Sequence, residues 1–195
     1  MRRAEMIFDL LDYIFGSLKM IIIKIFYLNR LKVQLIGKYS RTVQIRIFNS
    51  SKIISKKNLL MRSGVKIRTN KNGILNIGEN VGLNNNCLIN CMDSITIGDN
   101  VIFGQSVKIY DHDHNYKKDG VIRDNGYITS PIIINDNVWI GSNCIILKGT
   151  EIGANSVIGA NTVVYGKIPR NSIVYSDRQL KIKKKGELDG KQINV

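Results

Sequence analysis

The chain has 195 residues, of which 44% are hydrophobic and 23% are charged, as is usual for a soluble globular protein with a single core. Its 29 basic and 15 acidic residues give a formal net charge of +14, which favours anionic partners such as phosphorylated cofactors, acidic glycans, anionic lipids or nucleic acid. No nucleic-acid-binding motif is present, so a nucleic-acid partner is not expected.

Residues 1–32 predict an amphipathic helical segment, either one helix or two helices broken near Gly16 and Ser17. Its apolar residues recur at helical spacing: Ile7, Leu10, Leu11, Ile14, Leu18, Ile21, Ile22 and Ile25. Lys19 and Lys24 interrupt the apolar run, which argues against a membrane-spanning segment, and no signal peptide is apparent. Two interpretations remain. The helix packs on the first coil or on a neighbouring subunit, which we favour, or it lies on a membrane surface.

Residues 33–170 predict an all-β domain built from a parallel β-helix. Its C-terminal half places an aliphatic residue at every sixth position: Ile134, Ile140, Ile146, Ile152, Ile158 and Val164. A period of six fits neither a helix nor simple strand alternation, but it suits a triangular coil of about eighteen residues. Glycines and asparagines between these positions would tolerate the positive φ angles of the corners. The same register continues less regularly back to Ile47.

The repeat is interrupted by residues 111–133, which are polar, rich in turn-forming residues and aperiodic. Such a stretch between regular coils indicates an extruded functional loop. After Pro169 the repeat is predicted to end, leaving residues 171–195 as a basic tail. The three cysteines lack zinc-site or redox spacing, so they are interpreted as small buried residues in a reducing compartment, and no metal is expected.

The tandem hexads IGSNCI, IGANSV and IGANTV resemble those of the bacterial hexapeptide-repeat transferases. The longer stretch NDNVWIGSNCIILKGTEIGANSVIGANTVVYGKIP is similar to the sugar O-acetyltransferase branch, which includes galactoside, maltose and polysaccharide O-acetyltransferases. The resemblance covers about residues 74–170. It implies a left-handed parallel β-helix, a homotrimer with active sites between neighbouring subunits, acetyl-CoA as cosubstrate, and a loop histidine as general base.

The chain has only two histidines, and both lie in the loop sequence Tyr-Asp-His-Asp-His-Asn-Tyr. Imidazole suits the removal of a hydroxyl proton at neutral pH. By its place after the coil, His112 matches the catalytic histidine of the family, while His114 is a second candidate that would touch the acceptor. Asp111 and Asp113 could orient an imidazole or bind acceptor hydroxyls.

Two further acceptor contacts follow from the resemblance. Asn84 lies where related sugar acetyltransferases place an active-site asparagine, although a corner asparagine is nearly as good an interpretation. Where those relatives have an acidic residue for the sugar, this chain has Met92, with Asp93 beside it.

The resemblance also implies a site for acetyl-CoA. Trp139 would lie by its channel, and the small residues Gly104, Ser142 and Ala160 would line the pantetheine arm. Basic residues near the end of the domain would hold the CoA phosphates: Lys167, Arg178, Lys181 and Lys183. The Gly-x-Pro-Ala-Lys segment that often follows the last coil in the family is absent here.

The favoured function is O-acetylation of a sugar hydroxyl in a cell-envelope polysaccharide or its precursor, in the cytoplasm or at the inner face of the membrane. The expected partners are a carbohydrate acceptor and two further copies of the chain, with peripheral membrane contact through the N-terminal helix as an option. Alternatives are N-acetylation of a nucleotide-linked amino sugar and a non-catalytic β-helix scaffold. A carbonic anhydrase on this fold needs three histidine ligands, which one chain does not supply.

Overall fold

The computed structural model describes residues 2–177 as an N-terminal helix followed by a three-sided solenoid of parallel strands. The predicted fold, an all-β left-handed parallel β-helix, is confirmed. The first sheet contains Leu31–Lys32, Lys52–Ser55, Ile74–Ile77, Ser94–Ile97, Ile132–Ile134, Glu151–Ile152 and Lys167–Ile168. The second sheet contains Lys38–Tyr39, Leu60–Met61, Gly82–Leu83, Ile102–Phe103, Trp139–Ile140, Val157–Ile158 and Ile173–Val174. The third sheet contains Gln44–Ile47, Lys66–Thr69, Leu88–Cys91, Lys108–Tyr110, Ile145–Ile146 and Val163–Val164.

The aliphatic residues of the C-terminal hexads fill the interior as predicted. Five of them, from Ile134 to Ile158, are fully buried, and Val164 is nearly so. The asparagines predicted at corners have positive φ angles: Asn137, Asn143, Asn155 and Asn161. For the glycines that directly follow an aliphatic residue, namely Gly141, Gly153 and Gly159, the prediction was wrong, because none of them has a positive φ, whereas Gly149 does. A Cβ on Gly141 would instead lie 2.6 Å from the amide nitrogen of Ala160, so close stacking of coils requires glycine there.

The coils become shorter along the chain. Ile53 pairs with Leu75, so the early coils take 22 residues, whereas Ile134 pairs with Ile152, which is the predicted eighteen. The early coils are wider because several of their strands have four residues rather than two. The solenoid also ends later than predicted, since Ile173–Val174 pairs with Val157–Ile158.

The N-terminal segment forms one continuous α-helix, Arg2–Tyr27, followed by a 3-10 turn, Leu28–Arg30. The predicted alternative of a break near Gly16 was wrong. Gly16 is buried against the first coil, where a Cβ would lie 1.6 Å from the Tyr39 carbonyl oxygen. Glycine therefore lets the helix approach the solenoid closely instead of interrupting it. None of the helices among residues 2–177 is long and apolar enough to cross a membrane.

Polar groups of the helix cover the open backbone edge of the first coil. The Lys19 ammonium donates to the carbonyl oxygens of Arg41 and Val43, at 2.9 and 2.7 Å. Lys24 donates to the Val33 carbonyl oxygen. The Ser17 hydroxyl donates to the Gly37 carbonyl oxygen. An exposed strand edge would leave such groups unpaired and open to other chains, so the helix caps the solenoid, as favoured from the sequence.

Candidate active site

The extruded loop leaves the solenoid after Tyr110 and returns at Ile132. It is less irregular than its sequence suggests, because His112–His114 pairs antiparallel with Tyr127–Thr129. This short hairpin fixes the backbone that carries both histidines. His112 consequently lies just beyond the end of the strand Lys108–Tyr110, which pairs with Leu88–Cys91 on the coil before it.

Asp111 anchors this corner from below. Its carboxylate is fully buried and accepts hydrogen bonds from the backbone amides of Met92, at 2.9 Å, and Asp93, at 2.8 Å. Burial raises the pKa of Asp111, but hydrogen bonds from His112 and from these two amides outweigh it and leave the pKa below its ordinary value. The group is therefore an ionised carboxylate that can only accept hydrogen bonds.

His112 is oriented by this carboxylate. Its Nδ1 lies 2.8 Å from Asp111 Oδ1. Because the carboxylate only accepts, Nδ1 of a neutral His112 carries the ring proton and Nε2 has a free lone pair. The Tyr127 ring packs edge-on against the imidazole, with centroids 5.4 Å apart and an interplanar angle of 84°. His112 is thus held as the tautomer that a general base requires.

A cavity of about 400 Å³ opens over this imidazole. Its lining is Arg68, Asn70, Asn90, Met92, Tyr110, His112, Asp113, His114, Tyr127 and Leu147. The side-chain oxygen of Asn90 is buried there without a hydrogen-bond partner, so a donor group of a bound molecule would satisfy it. The cavity can hold a polar molecule next to a positioned base.

The other loop residues predicted for the site are brought to the same cavity. The His114 ring stacks at a tilt on Tyr127, with centroids 4.6 Å apart. Asp113 forms an ion pair with Lys148 at 2.8 Å, which ties the hairpin to the next coil.

Asp93, also predicted for the site, does not line this cavity. It donates its backbone amide to Asp111 and lines a smaller cleft beside Tyr127.

Asn84 does not line this cavity. Its side-chain oxygen accepts the backbone amide of Asn85 at 2.8 Å, the arrangement of a corner asparagine. It lies at the corner between the second and third sheets, the width of the third sheet away from His112.

The small residues predicted to line pantetheine do form one column at that same corner. A Cβ on Gly104 would lie 2.5 Å from the backbone nitrogen of Ser142, and Ala160 stacks on the following coil. Trp139 is 56% exposed on the outer face of the second sheet, in register with Ile102 and Val157. Within one chain, this column lies at the N-terminal ends of the strands of the third sheet, and His112 lies at their C-terminal ends.

Of the basic residues predicted for the CoA phosphates, only Lys167 is among the residues that the structure describes. Lys167 lies on the first sheet and pairs with Glu151 at 3.1 Å. Arg178, Lys181 and Lys183 lie outside the described residues.

Several residues of the cavity were not identified from the sequence. Tyr127 lies 13 residues after His114 and meets it only because the loop folds back as a hairpin. Asn90 and Arg68 lie on earlier coils, in register with each other. In the strand Leu88–Cys91, inward and outward side chains alternate, which places Asn90 on the outer face. This alternation was the sequence signal that could have identified Asn90.

The cysteines are buried and free, as predicted. Burial and the charge of Asp111 raise the pKa of the Cys91 thiol, and burial raises those of Cys87 and Cys144. The described residues contain no cluster of three His, Cys, Asp or Glu side chains that could hold a metal ion.

Residues 131–166 match the family model described as bacterial transferase hexapeptide (six repeats). No curated protein matches the chain. Among solved structures, the chain is similar to the hexapeptide-repeat acetyltransferase VCA0836 of Vibrio cholerae O1 biovar eltor, complexed with acetyl coenzyme A. The identity is 30% over 64% of this chain and 66% of that one, with a TM-score of 0.48. It is also similar to a maltose O-acetyltransferase of Clostridium difficile 630, with 31% identity over 68% and 62% of the two chains and a TM-score of 0.46.

The chain thus spans slightly less than two thirds of the length of these two structures. A mutant form of AntD, an N-acyltransferase of Bacillus cereus, superposes with a TM-score of 0.60 over 75% of this chain and 80% of that one. At 18% identity, this match shows a shared fold.

Proposed function

We propose that this hexapeptide-repeat protein is an acetyl-CoA-dependent O-acetyltransferase that acts on a sugar hydroxyl of a cell-envelope polysaccharide or its precursor. The observation that carries the proposal is the pair formed by Asp111 and His112 beneath a polar cavity. A hydroxyl is a poor nucleophile at neutral pH, so acyl transfer to it requires a base at that position.

The reaction follows from the tautomer of His112. Its Nε2 removes the proton of the acceptor hydroxyl while the oxygen attacks the thioester carbonyl of acetyl-CoA. The tetrahedral intermediate then collapses, breaking the carbon–sulfur bond, and the imidazolium returns its proton to the departing CoA thiolate. Asp111 stabilises the transient positive charge of the ring from 2.8 Å away. No cysteine is needed as nucleophile, because Cys91 is buried beneath Asp111 with a raised pKa.

The cavity favours an acceptor that is polar and anionic. Arg68 lies on its wall, and the Lys71 ammonium lies 5.0 Å from the centroid of Tyr127 at its rim. The unpaired oxygen of Asn90 suits a hydroxyl donor. An acidic glycan or a phosphate-linked sugar would supply both features. Acetyl-CoA as cosubstrate favours a reaction in the cytoplasm, with membrane-held acceptors reached from the inner face.

A homotrimer would complete the site. The column of Gly104, Ser142 and Ala160 lies across the third sheet from His112, so acetyl-CoA bound along that column meets the base only if a second copy supplies it. Exposed apolar side chains on the second sheet, including Ile102 and Trp139, would be covered by such packing.

The test is acetyl-CoA turnover, read as thiol release, with a panel of neutral and acidic sugars. We expect acceptor-dependent release that falls by about a hundredfold or more in His112→Ala and much less in His114→Ala. An alkali-labile product indicates an ester, whereas a stable product indicates the amide of an N-acetyltransferase. Release that is unchanged in His112→Ala contradicts the assignment of the base. Absence of CoA binding in calorimetry favours the scaffold alternative.

A further inference from the structure

The N-terminal helix presents an apolar face away from the solenoid. Eleven of its large apolar side chains are exposed, and they include a stripe at intervals of three or four residues: Ile7, Leu11, Ile14, Leu18, Ile22 and Ile25. Between residues 6 and 27, Asp9 is the only exposed polar residue. We call this surface the apolar helix face. A contiguous apolar surface of this kind marks an interaction site.

The polar residues of the same helix point the other way. Lys19 and Lys24 are bound to backbone carbonyls of the first coil, and Asp12 accepts the backbone amide of Arg41. Lys19, Lys24 and Asp12 thus face the solenoid, whereas the exposed apolar side chains face outward. Since it covers the end of the solenoid, the apolar helix face forms the base of the molecule.

The coils next to this face carry charge of one sign. From Tyr13 to Gly78 the sequence has fourteen Lys and Arg residues and no Asp or Glu. Carboxylates from other segments pair with only three of them among the described residues, namely Arg41, Lys56 and Lys57. Arg46, Lys66 and Arg68 surround a groove of about 290 Å³ on the third sheet. The apolar base is therefore bordered by a basic surface.

We propose that the apolar helix face docks on an anionic lipid bilayer, with the helix lying in the interface and the basic coils facing the headgroups. Two copies of the chain joined through this face would bring two basic ends together, which disfavours a second copy as the occupant. The helix lies on the membrane and does not cross it.

Docking in this way would set the height of the candidate active site. Three strand-to-strand steps on the third sheet separate Gln44–Ile47, in the first coil, from Lys108–Tyr110, next to His112. At about 4.8 Å for each step, the base stands about 14 Å above the first coil. Arg46, Arg68 and Asn90 are in register along this path. Resting on the proposed function, this geometry favours an anionic acceptor held at the membrane surface.

The test is co-sedimentation of the full chain with vesicles, in the absence of acceptor and acetyl-CoA, so that its outcome is independent of catalysis. One vesicle contains phosphatidylcholine alone and the other an equal mixture with phosphatidylglycerol. We expect binding to the anionic vesicle that weakens at about 0.5 M NaCl. In Ile14→Glu/Leu18→Glu the partition coefficient should fall about tenfold or more. The control Val121→Glu/Ile122→Glu adds the same charge at exposed loop positions and should bind like the native chain.

Equal melting temperatures of the variants show that the fold is intact, and the milder Ile7→Gln repeats the test should the double variant unfold. No binding by the native chain, or equal binding by the native chain and the helix variants, overturns the proposal. Light scattering tests the alternative that a second copy of the chain covers the apolar helix face. If the native oligomer does not bind vesicles and the helix variant has a smaller mass, a second copy covers the face and the proposal is wrong.

Discussion

Asp111 and His112 are neighbours in sequence, yet their side chains meet at 2.8 Å in a geometry normally built from distant parts of a chain. This is possible because the chain turns out of the third sheet between them. The Asp111 side chain points inward to the amides of Met92 and Asp93, and His112 begins the hairpin. The carboxylate is thereby fixed by the coil below before it orients the ring above.

Asp111→Asn should reduce turnover by about a hundredfold to a thousandfold. An amide at this position can donate to Nδ1 and would favour the tautomer in which Nε2 carries the proton and cannot act as base. The measurement is kcat with saturating acetyl-CoA and acceptor, across pH. Asp119→Asn is the control, because Asp119 is exposed on the same loop and lines neither the cavity over His112 nor the cleft beside it. Loss of activity in the control that equals the loss in Asp111→Asn would refute the positioning role.

The stability of the native protein should depend on Asp111 at acid pH. Its folded pKa is lowered, so its ionised form stabilises the fold above the unfolded pKa near 3.9, and this contribution is lost as pH falls through the folded pKa. In chemical unfolding, the difference in unfolding free energy between native and Asp111→Asn should be constant above about pH 5 and shrink below about pH 4. A difference that is independent of pH would show that the ionisation of Asp111 does not contribute to the stability of the fold.

The C-terminal coils could be predicted from the sequence because each of their corners uses the same short turn. With two-residue strands and constant turns, the period of six is preserved from Ile134 to Val164. In the early coils, strands of four residues lengthen the coil to 22, so the six-residue register traced back to Ile47 did not describe the pairing. Local sequence does not reveal how long each strand remains paired, since the neighbouring coil decides that.

The candidate site was predictable only in part. Imidazole chemistry and position in the loop made His112 the candidate base, but the anchor of Asp111 depends on two backbone amides 18 and 19 residues earlier, which carry no side-chain signal. Gly16 shows the same limit: its sequence context suggested a helix break, whereas its packing against Tyr39 requires a missing side chain. The predicted column of Gly104, Ser142 and Ala160 was brought together, but away from His112.

Gly16→Ala should loosen the helix from the solenoid. Its new Cβ would lie 1.6 Å from the Tyr39 carbonyl oxygen, so either the helix or the first coil must shift. Overpacking of this kind costs about 1–3 kcal/mol, which exceeds the gain in helix propensity of about 1 kcal/mol. Thermal unfolding should show a lower Tm than for Leu18→Ala, a control at an exposed position of the same helix. A Tm equal to or above that of the native protein would contradict the close packing.

Arg68→Ala should weaken an anionic acceptor selectively. Arg68 lines both the cavity over His112 and the basic groove below it, and its guanidinium lies 4.9 Å from the centroid of Phe48. We expect the KM for an acidic acceptor to rise by about tenfold, with kcat changed by less than about twofold. The KM for a neutral analogue should stay constant. Arg62→Ala removes an exposed charge outside both cavities and serves as the control. Equal effects of the two variants would show that only net charge matters.

Mixed oligomers can decide whether two subunits build one site. His112→Ala removes the base, and Ala160→Trp fills the predicted pantetheine column at an exposed position, so each variant alone should be inactive. If the base of one copy faces the column of the next in a ring of three, random mixing restores an intact pair at about a quarter of the interfaces. Co-expressed variants, purified through a different tag on each, contain only mixed rings, in which one interface of three is intact, so they should regain about a third of native turnover. A site built within one chain gives no recovery, because every chain in the mixture carries one defect.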